Sequence, residues 1–313
     1  MMKPLHIETP CIESRSMSRQ VRKSVWLKLE NLQPSGSFKI RGIGHACQIY
    51  RRRGCKRFIS SSGGNAGLAV AYAGRKLGVP VVVVVPETTT ERAINLIRSE
   101  GSEVLIQGAS WQEAHGHACA MTSKTDVLIH PFDDPLLWEG HASMIDELVR
   151  SQVSPDVIVL SVGGGGLLSG IAEGLARNNW EDKAIIAVET HGAASLAGAI
   201  RTGASFHLDS ISSLATSLGA KQVCDRAYKW TTKRKILSAV VSDHSAVLAC
   251  DAFLDDHRML VEPACGASLA TVYENHDLFH DFQSIAIIVC GGATVTHGQL
   301  QNWVSQFAKK TGG

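Results

Sequence analysis

A lysine stands where a flexible turn enters a predicted helix, at the end of the segment SGSFK, as Lys39. The apolar spacing predicts a helix from about 38 to 53 that stops at Gly54. Near the positive end of a helix, and shielded from water, the ammonium form of a lysine is disfavoured. The neutral amine is the nucleophile of Schiff-base chemistry, so Lys39 is a candidate catalytic group. A solvated surface lysine is the alternative that this motif alone leaves open.

Two glycine-rich loops each follow a predicted strand and precede a predicted helix. The loop SSGGNAG, at 61–67, gathers backbone N–H groups and hydroxyls around an anion at the helix start, which suits a carboxylate. A tight strand-to-helix turn is the alternative. Four consecutive glycines, at 163–166, follow the apolar strand 157–162 and allow the backbone to wrap a phosphate at the start of a helix near Leu167.

A thiol, Cys290, ends the last apolar strand and is followed by two glycines. A side chain at the carboxyl end of a strand faces the ligand crevice of an open α/β sheet. A buried structural cysteine is the alternative, since free thiols are commonly buried. The eight cysteines include no C-x-x-C pair in this long chain, so reduced thiols are expected.

The four-glycine loop does not have the spacing of a nucleotide-binding motif. A G-x-G-x-x-G pattern started at any of its first three glycines meets Leu167, Leu168 or Ser169 where glycine is required. Glu189 ends the following strand as a ribose-binding acid would, but the glycine spacing excludes that interpretation. The chain also has no G-K-[ST] sequence, which excludes a P-loop.

Composition narrows the class of protein. The formal charge is +2, from 31 basic and 29 acidic side chains, so no strong field for nucleic acid or an anionic membrane is expected, and a small substrate fits better. His115 and His117 would diverge on a helix, so no zinc site is expected. The sequence lacks an apolar run long enough to span a bilayer, and its N-terminus lacks the apolar stretch of a signal peptide. A cytoplasmic protein is therefore expected.

Short β-branched runs alternate with helical patterns, which predicts an α/β fold with parallel sheets covered by helices. The pattern falls into two sets of elements, and two packed domains with a ligand-binding cleft between them are expected. Predicted helices cover about 65–77 and 136–150, and the spacing of Thr88 and Glu91 predicts a capping box for a helix that ends at Gly101. Strands are predicted at 25–29, 57–60, 81–85, 103–106 and 127–129 in the first set, and at 157–162, 184–189, 237–241 and 285–290 in the second.

Six motifs occur in the order found in the serine/threonine dehydratase family, and the resemblance covers nearly the whole chain. The chain most resembles the animal liver-type L-serine dehydratases and the serine dehydratase-like proteins. The resemblance implies the tryptophan-synthase-β-like (type II) fold of pyridoxal-phosphate enzymes, with two open, twisted, mainly parallel sheets flanked by helices. It also implies a large cofactor-binding domain of residues 1–33 and 137–313 and a small domain of residues 34–136. The six motifs are QPSGSFKIRG, SSGGNAG, PFDDPLLWEGHAS, SVGGGGLLSG, VEPACGA and VCGG.

The resemblance also implies roles for individual residues. Lys39 would form the Schiff base with pyridoxal 5′-phosphate, Phe38 would pack on the pyridine ring, and Asn65 would bond the 3′ oxygen. Cys290 would face the pyridine nitrogen, where a neutral thiol cannot hold a proton as an aspartate would. Such a ring is a weaker electron sink, which suits elimination. The phosphate would be wrapped by Gly163, Gly164, Gly165 and Gly166.

Substrate and cation contacts follow from the same resemblance. Ser62, Gly63 and Asn65 would hold the substrate carboxylate. A cation site would lie near the cofactor, with one carboxylate and mostly neutral oxygens, so potassium is favoured over a divalent ion. Its ligands would come from Gly163, Glu189, Ala193, Ser195, Leu218 and Ala220.

The implied activity is β-elimination from L-serine or L-threonine, giving pyruvate or 2-oxobutanoate plus ammonia, by a homodimer without nucleic-acid or membrane partners. A serine racemase or a β-replacement synthase on the same fold is the first alternative. A weakly active protein that binds the cofactor is the second. Gly63 bears on this choice, because the active liver enzymes of the family carry alanine there and racemases carry serine. Without a methyl at Gly63 we expect a looser pocket and slow dehydration, with faster dehydration in Gly63→Ala.

Overall fold

The computed structural model describes residues 3–311, with side chains as far as Lys309. The predicted large domain begins at residue 1 and ends at residue 313, and both of these limits lie outside the described residues. The first two residues of the N-terminal segment discussed above also lie outside them. Ten strands are described: β1 Cys11–Glu13, β2 Ser24–Lys28, β3 Arg57–Ser60, β4 Val81–Val85, β5 Glu103–Ile106, β6 Asp126–Leu128, β7 Val157–Ser161, β8 Ala184–Thr190, β9 Ile236–Val241 and β10 Ser284–Ile288.

The strands form two sheets that are parallel apart from one edge. The larger sheet has the order β1-β2-β10-β7-β8-β9, and the smaller has the order β5-β4-β3-β6. All neighbouring strands are parallel except β1 and β2, which pair in opposite directions. The prediction of an α/β fold with two mainly parallel sheets is confirmed.

Helices cover both sheets. A parallel strand is buried on both faces, and β4 shows this in its sequence, since all five of its residues are valines and all are buried. The helices are α1 Arg15–Val21, α2 Lys39–Arg52, α3 Asn65–Leu77, α4 Glu91–Ser99, α5 Trp111–Ala120, α6 Pro135–Arg150, α7 Gly166–Arg177, α8 Ser195–Thr202, α9 Asp225–Thr231, α10 Asp243–His257, α11 Pro263–Tyr273 and α12 His297–Thr311. Among residues 3–311, none of these helices has the length and hydropathy to cross a membrane.

The start of α4 differs from the predicted capping box. Thr88 is not the capping residue; the side chain of Thr90 accepts the N–H of Ala93 at 3.3 Å. The preceding residues form a turn in which Thr89 N donates to Pro86 O at 3.0 Å, so the helix begins later than the spacing predicted. The capping-box prediction at Thr88 and Glu91 is therefore wrong, because the turn places the helix start two residues later.

The strand predicted at 25–29 groups with the first set when the chain is read in order, but this grouping is wrong. As β2 it pairs with β10, from Ser24 beside Ser284 to Lys28 beside Ile288. Parallel partners are joined by long connections, so position along the chain does not dictate the neighbour. The strands of the smaller sheet all lie between residues 57 and 128. The domain limits at 33 and 136 stay a prediction.

A buried network of charges joins β2, α2 and α6. The Arg41 guanidinium donates to both carboxylate oxygens of Glu30, at 2.6 and 2.7 Å, and to both oxygens of Glu147, at 2.6 and 2.7 Å. Lys28 forms an ion pair with Glu147 and donates to the carbonyl of Thr9 at 2.6 Å. The four charged side chains are at most 4% exposed and their formal charges cancel. Burial alone would raise the pKa of the Glu147 carboxyl, but the bonds from Arg41 and Lys28 lower it.

We predict that Arg41→Met destabilises the fold by about 3–5 kcal/mol, because it leaves two buried carboxylates with lost partners. The free energy of unfolding in urea measures the loss, and Arg150→Met is the control. The Arg150 pair with Glu8 is exposed on both sides, so this control should lose no more than about 1 kcal/mol. Because the folded-state pKa of Glu147 is lowered, its contribution is present above its ordinary pKa and disappears as acid protonates it. Equal losses in the two variants at neutral pH would contradict the prediction.

Candidate active site

The turn before α2 is bound to the end of β10. Phe38 N donates to Cys290 O at 3.1 Å, and Gly292 N donates to Gly36 O at 2.9 Å. Gly36 has a φ of +76° and Gly292 a φ of +131°, and such positive values favour glycine at these positions. These bonds bring Lys39 to the carboxyl end of β10, about 250 residues further along the chain.

The Lys39 amine lies in a largely desolvated environment. Its Nζ donates to the carbonyl oxygen of Pro131 at 2.6 Å and lies 5.3 Å from the centre of the Phe38 ring. The side chain keeps some access to solvent, yet burial lowers the pKa of Lys39 to about 8, against the opposing influence of Cys290 and Glu262. A usable fraction of neutral amine is therefore present at mildly alkaline pH, as nucleophilic chemistry requires.

The Phe38 ring is supported from behind by a buried imidazole. The ring centroids of Phe38 and His141 are 5.0 Å apart, with a tilted arrangement. His141 is fully buried, and within the described part of the chain neither of its ring nitrogens has a hydrogen-bond partner. Burial, with nearby Lys39 and Arg41, lowers the pKa of His141 well below its ordinary value, so the ring is neutral. It fixes Phe38 by packing.

The four-glycine loop forms a backbone cradle at the start of α7. Helix α7 begins at Gly166 without a side-chain cap, and Gly165 has φ +87°. A Cβ at Gly163 would lie 2.9 Å from the Ser217 carbonyl oxygen, and a Cβ at Gly164 would overlap the Phe132 ring. Side chains at these glycines would collide with their surroundings, and the uncapped helix start suits a phosphate.

The loop at 61–67 makes a second cradle, at the start of α3. Gly64 precedes this helix without a side-chain cap, and its N–H donates to Ser62 Oγ at 3.4 Å. A Cβ at Gly67 would overlap the Ser62 carbonyl, so glycine there allows the loop to fold onto the helix. Ser62, Gly63 and Asn65 therefore lie together at one helix start, an arrangement that suits a carboxylate.

One contact behind this loop escaped sequence reasoning. The Ser61 hydroxyl lies 2.9 Å from His115 Nδ1 on α5, and the ring of Trp111 stacks on His115. His115 was considered as a metal ligand and set aside. Its spacing from Trp111, one helical turn, was the only signal in the sequence that these two rings share a face.

The buried acid Glu262 is the main functional residue that the sequence did not single out. Asn65 Nδ2 donates to Glu262 Oε1 at 2.8 Å, and Ala293 N donates to Asn65 Oδ1 at 3.1 Å. These two bonds fix which way the amide points. The second amide hydrogen reaches only Ser217 Oγ, at 3.4 Å, and remains available to a better acceptor. The signal was present as the one charged residue of the motif VEPACGA.

The Glu262 carboxyl lies against Gly292, where any Cβ would overlap it, and is almost fully buried. Burial raises the pKa of Glu262, while bonds from Ser217, Asn65 and Thr294 act in the opposite direction. The carboxyl therefore serves as a hydrogen-bond acceptor where the smaller and larger sheets meet.

Cys290 is buried beside Cys265. A hydrogen bond between the two thiols and burial raise the pKa of Cys290 well above its ordinary value. The group at this position is therefore a neutral thiol. The structure brings it to the same strand end as Lys39.

Four of the six residues implied for a cation site lie around the ends of β7 and β8. Val162 N donates to Val188 O, so Gly163 and Glu189 both lie at the carboxyl ends of these neighbouring parallel strands, and Leu218 packs against Gly163. Ser195 Oγ is buried and, within residues 3–311, has no hydrogen-bond partner.

At this site, oxygen atoms of Glu189 and Leu218 already accept hydrogen bonds from backbone N–H groups. The Glu189 oxygens accept the N–H groups of Leu196 and Ala197 at 2.8 and 2.7 Å, so the carboxylate caps α8. Burial raises the pKa of Glu189 to about 7. Ala193 is buried beside this cap. Ala220 N donates to Leu218 O at 2.7 Å, so that carbonyl oxygen already accepts one hydrogen bond.

The expectation of a loose pocket at Gly63 is wrong. A Cβ at this position would lie 2.6 Å from Thr89 Cγ2, 2.9 Å from Thr89 Oγ1 and 3.2 Å from Val85 Cγ1. Thr89, in the loop that follows β4, fills the space that a methyl group at position 63 would occupy. A single sequence carries no signal for this contact.

Comparisons with known proteins agree on one family. The family model described as "Pyridoxal-phosphate dependent enzyme" matches residues 2–291. The chain is 46% identical over 308 residues to a mouse protein named "Serine dehydratase-like", covering 95% of this chain and 94% of the relative. It is 45% identical over 309 residues to the bovine "L-serine dehydratase/L-threonine deaminase", with the same coverage. The solved structure of a fungal L-serine ammonia-lyase from Rhizomucor miehei superposes with a TM-score of 0.93 at 33% identity, covering 97% of this chain and all of that one.

We predict that Glu262→Ala weakens the binding of pyridoxal phosphate to the apoprotein about tenfold, because the Asn65 amide loses the acceptor that orients it. Glu262→Gln keeps an oxygen in that place and should stay within about threefold of the native affinity. Titration of the apoprotein, followed by the visible absorption of bound cofactor, measures both values. Equal affinities for the alanine and glutamine variants would contradict the orienting role.

Proposed function

Because the chain belongs to the family of pyridoxal-phosphate dependent enzymes, we propose that it is an L-serine and L-threonine dehydratase. It releases ammonia and forms pyruvate from serine or 2-oxobutanoate from threonine. The observation that carries the proposal is the partly desolvated amine of Lys39, lying among two uncapped helix starts that suit a phosphate and a carboxylate. The names of the relatives, over nearly the full length of the chain, support the choice of substrate.

The residues present fit the cofactor. The cradle of Gly163 to Gly166, which side chains would fill, would hold the phosphate, and Lys39 would be the covalent anchor. Phe38 would pack on the ring, and the Asn65 N–H that makes only a long bond to Ser217 Oγ would bond the ring's 3′ oxygen. Cys290 would face the ring nitrogen. When bound, the cofactor supplies the electron withdrawal that makes the substrate Cα–H acidic.

The protein's own groups then move one proton and orient the substrate. Ser62, Gly63 and Asn65 bind the substrate carboxylate at the start of α3. The neutral Lys39 amine accepts the proton from Cα, for which its lowered pKa suits it. The neutral Cys290 thiol would not hold a proton on the ring nitrogen, so the cofactor would withdraw electrons less strongly, which suits β-elimination.

Two further features are part of the proposal. Potassium is proposed at the site of Glu189 and Ser195, supported by the buried hydroxyl of Ser195 without a partner among the described residues. A homodimer is proposed on the resemblance alone. A cytoplasmic location also stays a prediction.

A keto-acid assay on the purified holoprotein tests the activity. L-serine alone should give pyruvate and ammonia in equal amounts. A requirement for an added thiol would instead favour a β-replacement synthase, and D-serine formed as fast as pyruvate would favour a racemase. Cofactor binding with no turnover of either amino acid would favour a protein that only binds it.

Replacing Lys39 with alanine should abolish keto-acid formation and shift the visible absorption of the bound cofactor, because anchor and base are lost together. Lys76→Ala, at an exposed position on α3, is the matched control and should leave both measurements unchanged. Turnover retained in the Lys39 variant at the native rate would refute the assignment.

The cation proposal predicts that potassium raises both the rate and the melting temperature relative to equal sodium, since a bound ion stabilises the folded state. Glu189→Gln should remove both differences by taking away the charged ligand, while its amide oxygen still accepts one helix N–H. Identical melting curves of the native protein in the two salts would leave Glu189 a helix cap only.

A further inference from the structure

Thr89 lies where a side chain at position 63 would project. Its Cγ2 and Oγ1 atoms approach the ideal Cβ position of Gly63 to 2.6 and 2.9 Å, closer than ordinary contacts allow. Gly63 belongs to the loop assigned to the substrate carboxylate, and Thr89 reaches that loop from the carboxyl end of the neighbouring parallel strand, β4. The threonine is half-buried, so part of its side chain is accessible to solvent.

The segment that carries Thr89 borders the cleft between the two sheets. Three residues further on, Arg92 donates to the carbonyls of Ala293 and Thr294, at 3.2 and 3.1 Å. The N–H of Ala293 in turn donates to Asn65 Oδ1 at 3.1 Å. Thr89 is thus held on the same side as Asn65, close to the start of α3.

The Thr89 hydroxyl is free for a ligand. Among the described residues it takes part in no hydrogen bond, whereas the backbone N–H of Thr89 is used in the turn with Pro86. A threonine hydroxyl donates one hydrogen bond, and an anion at a helix start gains from a donor beside the backbone N–H groups. The neighbouring methyl group limits the volume next to Gly63.

We propose that Thr89 is a substrate-binding and specificity-determining residue: its hydroxyl donates to the amino-acid carboxylate, and its methyl fills the space left by glycine at position 63. The proposal rests on the proposed function for the nature of the substrate. Gly63 and Thr89 form one unit, so the effect of a side chain at 63 depends on which side chain is present at 89.

Thr89→Val tests the hydroxyl, because valine has nearly the same shape without a donor. We expect the KM for L-serine to rise about five- to tenfold with little change in kcat, as loss of a binding hydrogen bond predicts. Thr89→Ser keeps the donor and should remain within about twofold of native. Thr88→Val, at the exposed neighbouring threonine, is the matched control. A KM in Thr89→Val equal to that of the control would overturn the hydroxyl's role.

Gly63→Ala tests the coupling. Its methyl would displace the Thr89 side chain, so we expect kcat/KM to fall, the reverse of the gain expected from the sequence alone. It should recover in Gly63→Ala/Thr89→Ser, where the smaller side chain can rotate away. Additive effects of the two changes would refute the coupled unit. Melting temperatures identify a variant that fails to fold, and Thr89→Val then decides alone. If the native protein formed no keto acid, L-serine binding followed by cofactor absorbance would still test Thr89, separately from the proposed function.

Discussion

The buried charge network around Arg41 is the constraint on which the position of Lys39 depends. Arg41 lies on α2 two residues after Lys39, and its bonds to Glu30 and Glu147 tie that helix to β2 and α6. An isolated buried charge is very costly, so all partners must be present together. This all-or-none requirement fixes the start of α2, and therefore Lys39, relative to the larger sheet.

The ionisable groups around Lys39 either favour their uncharged forms or are hydrogen-bonded to neighbouring side chains. Burial lowers the pKa of the lysine amine and raises that of the Cys290 thiol, so both tend toward their uncharged forms. The buried acid Glu262 accepts hydrogen bonds from Asn65, Ser217 and Thr294, and the bond from Asn65 orients that amide. A bound anionic cofactor would therefore be the dominant charge in the cleft, held by backbone N–H groups at a helix start.

The contacts of Gly63 and Asn65 show how the two sheets cooperate. Asn65 belongs to the helix that follows β3 of the smaller sheet, yet it bonds to Glu262 and Ala293 near elements of the larger sheet. Thr89, from the loop after β4, fills the space beside Gly63. Residues from four separate segments thus determine the geometry at the start of α3. A change in one segment therefore alters the contacts made by the others.

The sequence by itself determined the local features: the parallel α/β pattern, the helix start at Lys39, the two glycine loops and the cysteine at the end of β10. Each depends on residues close in the chain, where periodicity and glycine placement act directly. Only the tertiary structure decided that β2 pairs with β10, that Thr90 and not Thr88 caps α4, that Glu262 orients Asn65, and that Thr89 occupies the space beside Gly63. These outcomes depend on contacts between segments distant in sequence, and a single sequence carries no periodic signal for the distance between two such side chains.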